Sequence, residues 1–162
     1  MADRTNIIVG AASVAVDGVD AGYTKGGVTQ TKPQEILDID ADQVAGVIAK
    51  EVTGEKMFIK TTLLESTLAN IRMAMNEPAG NAWSGSGLAL GSAAPTITEH
   101  TLTLVGKGPA GKTRTVNIFR AVSVEEIETG MFRDQASVIP VTFECLKDPA
   151  NGNKFGNIID TA

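Results

Sequence analysis

Aromatic side chains are scarce in this 162-residue chain, which has one Trp, one Tyr and five Phe. That speaks against a carbohydrate-binding or adhesin-like β module, because such surfaces are built from clustered exposed rings. Cysteine is nearly absent as well. Cys145 alone permits no intrachain disulfide, no CxxC pair and no multi-cysteine zinc site, and it suits a reducing compartment. His100 is the sole histidine, so a His-Asp-Ser relay could be assembled only by choosing distant partners arbitrarily. Bases are outnumbered by acids, 14 to 19, and the net charge of -5 has the wrong sign for a conventional nucleic-acid binder. No apolar run approaches the roughly 20 residues of a membrane helix.

What is present is ordinary globular material. Hydrophobic residues make up 43% and charged residues 20%, enough to build a real core, and the length suits one domain over 1–162. Ile7 to Val16 (IIVGAASVAV) has the look of a short signal-peptide core, but its β-branched content and the adjacent Asp3 and Arg4 favour an N-terminal strand. Val14 and Val16 share one face, and Asp17-Gly18 then makes a tight turn. Val28 to Ile39 is extended and Thr-rich, interrupted by Pro33.

Between Glu35 and Asp40 apolar and acidic residues alternate so that both faces are mixed, which predicts a strand not buried on one side only. Ala41 to Val52 reads as a short helix or an extended loop. Met57 and Ile59 oppose Lys56 and Lys60 in a half-buried strand. Leu64, Leu68, Ile71 and Met75 recur at helical spacing, with Thr62 as N-cap and Glu65 completing a capping box, and Pro78 ends that helix. Ala79 to Pro95 is a Gly, Ala and Ser-rich stretch that is long for a connection. Thr96 to Val105 and Thr115 to Val122 form a hairpin across a Gly-rich turn. Ile139, Val141, Phe143 and Cys145 share the apolar face of a last strand, where an inert buried thiol is expected. The residues therefore predict an antiparallel β domain carrying one helix.

Two spellings promise chemistry. Gly106 to Thr113 (GKGPAGKT) matches the phosphate-loop pattern GxxxxGK[ST], but that chemistry needs a helix to follow, whose N-terminal amides face the anion. Here the next residues, RTVNIFRAV, alternate as a strand. A hairpin turn is the stronger reading and nucleotide binding the lesser one. Asp38, Asp40 and Asp42 have the spacing of the first calcium ligands of an EF-hand, yet Gln43 stands where its Gly belongs and Ala49 where its closing Glu belongs. A solvated or interface-facing acidic strand end fits better. Nothing assembles an active site, and no cofactor or metal is called for.

Taken in order, several pieces resemble bacteriophage tail tube proteins. They are Val14 to Gly22 (VAVDGVDAG), Gly26-Gly27-Val28, the acidic strand Glu35 to Asp40, Thr53-Gly54-Glu55, and the helix opening at Leu63-Leu64-Glu65. Leu102-Thr103-Leu104, the Gly-rich hairpin, Phe119-Arg120-Ala121, Ile139 to Glu144 and Phe155 to Ile158 complete the series, so the resemblance spans nearly the whole chain. It implies a mainly β, sandwich- or barrel-like fold of two packed antiparallel sheets with one flanking helix. It implies a non-enzymatic virion protein, made in the host cytoplasm and located in the tail, whose six-membered rings stack into a hollow tube for genome passage. Its partners would be further copies, then tape-measure, tail terminator and baseplate proteins, with DNA in transit and no membrane. The related tube of a contractile injection or secretion system is the alternative.

On that reading Val44, Val47, Ile48 and Trp83 are candidate subunit contacts, with Trp83 folded onto its own domain as the competing expectation. Glu35, Asp38, Asp40 and Asp42 are candidates for an acidic lumen or interface, since negative charge would keep a phosphate backbone from adhering. Both Ala41 to Gly54 and Ala79 to Pro95 offer surface that a monomer leaves uncommitted.

Overall fold

The computed structural model describes residues 4–80, 82–83 and 85–162. Among them are twelve strands and one α-helix: β1 Ser13–Val16, β2 Val19–Asp20, β3 Thr24–Thr31, β4 Gln34–Ala41, β5 Val44–Glu55, β6 Phe58–Leu63, α1 Leu68–Ala74, β7 Ala82–Trp83, β8 Gly87–Leu88, β9 His100–Lys107, β10 Thr113–Ser123, β11 Ile139–Cys145 and β12 Gly156–Thr161. The expected class, mainly β with antiparallel pairing and a flanking helix, is what forms.

Eight strands make one sheet in the order β2-β1-β9-β10-β11-β6-β3, with β12 also on β10. The eleven-residue β10 lets this sheet fold over itself. One of its edges pairs with β9, while the other pairs with β12 over Thr113–Ile118 and with β11 over Ala121–Ser123. The two ends of the strand order then meet: the Thr24 hydroxyl of β3 donates to the Ala12 carbonyl beside β1 at 3.5 Å.

Alternation decides what lies inside. Cross-strand partners sit on the same face, so the register that sets Val14 opposite Leu104 and Val16 opposite Leu102 buries all four together. On the other side, Ile139 opposes Leu63 and Phe143 opposes Ile59. Ile118, Ala121, Val141 and Cys145 join them in one core cluster. The expected strand faces of β1, β6 and β11 are thus the buried ones.

The helix is shorter than its apolar spacing predicts, and its start differs. Thr67 is the N-cap, accepting from the Asn70 amide at 3.2 Å. Thr62 instead pairs with Pro140 inside β6, and Glu65 accepts from the Tyr23 amide at 3.3 Å. Pairing in the sheet takes Thr62 and Leu63 before a helix can use them. Seven residues are too few for a helix to hold by itself, so tertiary bonds fix it. Asn70 Nδ2 donates to the Ala21 carbonyl at 3.0 Å, and the Ser123 hydroxyl donates to the Ala74 carbonyl at 2.7 Å.

Two further expectations are corrected. The N-terminal strand is confined to Ser13–Val16, and residues 7–12 run without regular structure. Ala41 to Val52 is neither helix nor loop, because β5 pairs with β4 from Val44 onward. Among the described residues no helix is long and apolar enough to cross a membrane.

β12 is held at a point of close approach. Gly156 lies opposite Ile118, and a Cβ there would collide with the Asn117 carbonyl, a backbone atom that has no room to rotate away. Gly156→Ala is therefore expected to cost about 1–3 kcal/mol of stability, as overpacking typically does. The backbone amides of 157–161 should lose hydrogen-exchange protection while those of β11 keep theirs. Retained protection in β12 would show that the strand accommodates a methyl group.

Candidate functional site

β4 and β5 form a sheet of their own. The hairpin turns at Asp42-Gln43, between the paired Ala41 and Val44, and its register skips at three places. One skip lies between the Asp40–Val47 and Ala41–Val44 pairs, where Gly46 adopts a φ of 120° that a side chain would resist. With eight residues in β4 at about 3.4 Å each, the hairpin reaches on the order of 25 Å.

No residue from Gln34 to Val52 is buried on either face. Val44, Val47 and Ile48 are 55%, 48% and 53% exposed, and Ile36, Leu37 and Val52 are similar. This is the mixed-face strand the sequence predicts, now with a partner that is equally open. A two-stranded hairpin is marginal in water without an apolar face packed on something. Seven large aliphatic side chains lie in the open here, beside strand edges that pair with no other strand among the described residues.

Charge is segregated in the same place. Residues 34–55 hold six of the nineteen acids and one of the fourteen bases, a balance of -5 that equals the net charge of the chain. The other 140 residues carry thirteen of each. Glu35, Asp38, Asp40 and Asp42 are all exposed on this hairpin, but they are not equivalent. Asp38 is held by Lys50 Nζ at 2.5 Å, whereas Asp40 and Asp42 make no ion pair among the described residues. No group of three or more His, Cys, Asp or Glu side chains converges as a metal cage among the described residues.

The root of the hairpin is clamped to the body. Glu55 accepts from Lys147 at 2.8 Å and from Lys32 at 2.7 Å, and these two ammonium groups hold its carboxyl down to about 2. The Lys56 amide donates to the Pro33 carbonyl at 3.1 Å, closing the neck. A fixed root with an uncovered blade gives a defined direction of projection.

Trp83 does not fold back onto its domain. It sits in the small β7–β8 hairpin opposite Gly87, with 69% of its surface exposed. In the rest of the Ala79 to Pro95 stretch Leu90 is also open, at 72% exposed, while positions 81 and 84 lie outside the described residues.

The phosphate-loop spelling is a hairpin turn. β9 ends at Lys107, a single turn spans Pro109–Gly111, and β10 begins at Thr113, so no helix N-terminus follows the glycines. The Gly108 and Lys112 amides already donate inside the turn, to the Lys112 and Pro109 carbonyls.

His100 has a partner that spacing could not reveal. Its Nδ1 lies 2.6 Å from Asp17 Oδ2, and Asp17 also accepts from the Thr101 amide at 2.8 Å. Burial pushes the Asp17 carboxyl up, but the bonds from His100 and Thr101 outweigh it and hold the group below its usual range. The pair ties the β1–β2 turn to the start of β9 across 83 residues of sequence.

Cys145 is buried at the end of β11, and desolvation, helped by Glu144, pushes its thiol up to about 12. Since the thiolate is the reactive form, labelling by a thiol reagent is expected to be slow in the native protein and fast in denaturant. Equal rates in both would place Cys145 outside the core. No protein-family model and no curated protein matches this chain.

Proposed function

We propose that the protein is a structural subunit that polymerises, with hexameric rings stacking into the hollow tube of a phage tail through which the genome passes. The observation that carries this reading is the β4–β5 hairpin, clamped at its root and apolar on both exposed faces. An isolated monomer gains nothing from such a blade, whereas a neighbour that covers it buries aliphatic surface at about 25 cal/mol per Å2 and satisfies free strand edges. The partner is another copy, and the contact is head to tail, because a blade and its receptor are different surfaces and heterologous contacts generate rings and filaments.

The chemistry of the rest agrees with a non-enzymatic role. His100 and Asp17 tie the β1–β2 turn to the start of β9, Cys145 is buried, and the Gly106–Thr113 turn leads into a strand. Acids on the hairpin that are not covered by a neighbour, with Glu35 the nearest to the root, would face the channel and repel a passing phosphate backbone. Tape-measure, terminator and baseplate proteins would meet the ends of the tube. The tube of an injection or secretion system would use the same contacts without DNA.

Negative-stain microscopy of the purified protein tests the proposal. Rings or tubes of uniform width support it. Particles of monomer size at every concentration and salt condition tried would overturn it.

A further inference from the structure

The chain also holds a surface whose character is the inverse of the hairpin tip. The turn Arg4–Asn6 lies against the turn Pro109–Gly111, and between the following residues and the β9–β10 loop runs a groove of about 410 Å3. Ile7 and Val9 form its apolar wall and are 71% and 79% exposed. Lys107 and Lys112 line it as well. The Lys107 stem lies over Gly10, close enough that a Cβ there would meet its Cδ at 3.0 Å, which fixes the base of the ammonium arm.

Neither lysine makes an ion pair among the described residues; Asp160 lies near enough to feel the charge of Lys112, but its two bonds of 2.7 Å go to Arg114. Arg4 adds a third exposed base to the same end of the molecule. The groove is therefore apolar and positive, and the hairpin tip, with Val44, Val47, Asp40 and Asp42, is apolar and negative. Lys107, Lys112, Asp40 and Asp42 all lack an ion-pair contact among the described residues, with Asp160 the acid nearest in effect to Lys112. Opposite potentials on two separate patches of one molecule are the arrangement that selects partner and orientation.

We propose that this groove receives the β4–β5 tip of a second copy, with Lys107 and Lys112 meeting Asp40 and Asp42 while Ile7 and Val9 cover Val44 and Val47. The inference rests on the polymerisation reading and assigns its missing half, the receptor. It also gives the two lysines of the phosphate-loop spelling a purpose that the turn's internally bonded amides leave open.

Charge reversal separates the possibilities. Lys107→Glu with Lys112→Glu, and separately Asp40→Lys with Asp42→Lys, should each raise the critical concentration for assembly by about tenfold, the scale expected when close opposed charges become like charges. All four positions are exposed, so melting temperatures should stay at the wild-type value. The chain carrying all four reversals should assemble again within about threefold of wild type, since the pairs are restored with opposite sign. If both double reversals assemble normally while aspartates at 44, 47 and 48 still block assembly, the hairpin is the contact and this groove is not its receptor. A quadruple variant that stays as impaired as the doubles would likewise overturn the pairing. If ATP binds the wild type, and Lys107→Glu with Lys112→Glu removes that binding without touching assembly, the groove is a phosphate site. A wild-type chain that never assembles would sink the polymerisation reading and this inference together.

Discussion

Replacing Val44, Val47 and Ile48 with aspartate is expected to abolish assembly while leaving the monomer melting temperature within about 2 °C of wild type. The two halves of that expectation come from one fact, that these side chains are about half exposed and lie on a hairpin no other element buries. In a monomer the new carboxylates stay in water. In the contact they would be brought against apolar surface, where an unpaired charge costs several kcal/mol, and they would be close to Asp40 and Asp42. Sedimentation velocity and a thermal melt on the same sample decide the matter. A variant that unfolds would show the three residues to be core; one that still polymerises would show the hairpin to be free of any contact.

Phe143→Ala should do the opposite and strike the monomer. Phe143 is the largest of the fully buried side chains, facing Ile59 across the β11–β6 pair at the centre of the cluster. Truncating a buried Phe costs about 3–5 kcal/mol through lost transfer energy and the cavity left behind. Against a total stability on the order of 5–15 kcal/mol, the melting temperature should drop by more than about 6 °C. Urea denaturation would measure it, and a loss below about 1 kcal/mol would show that the sheet does not close over Phe143.

The contrast between these two variants mirrors what the sequence made legible. β1, β6 and β11 alternate cleanly because one face of each is buried, and that difference between faces is what a period of two records. β5 has no buried face, so its Val, Ala, Lys and Glu residues leave no such record, and Ala41 to Val52 looks equally like helix or loop. The acids at 35, 38, 40 and 42 and the aliphatics at 44, 47 and 48 were recognisable as unsuited to a core, but not as two strands of one blade. Thr62 and Thr67 are both chemically fit to cap a helix. Only the register of β6 against β11 shows that the first is already engaged. The Asp17–His100 bond and the Lys32–Glu55–Lys147 clamp join residues far apart in the chain, and no local pattern reports such pairs.

A molecule neutral over 140 residues and carrying five net negative charges on one projecting blade is a strong electric dipole. Two such subunits exert torque on one another before they touch, over a range set by screening, about 30 Å at 0.01 M salt and about 8 Å at 0.15 M. Dilute salt should lengthen the range of both effects, the pre-alignment of the partners and the repulsion between two chains of net charge -5, so alignment acts on the rate against a like-charge background. In the proposed stack every dipole points the same way along the axis. The growing tube would then have one electronegative rim and one that is not, and incoming subunits, like the proteins that finish each end, would have a long-range signal by which to tell the two apart.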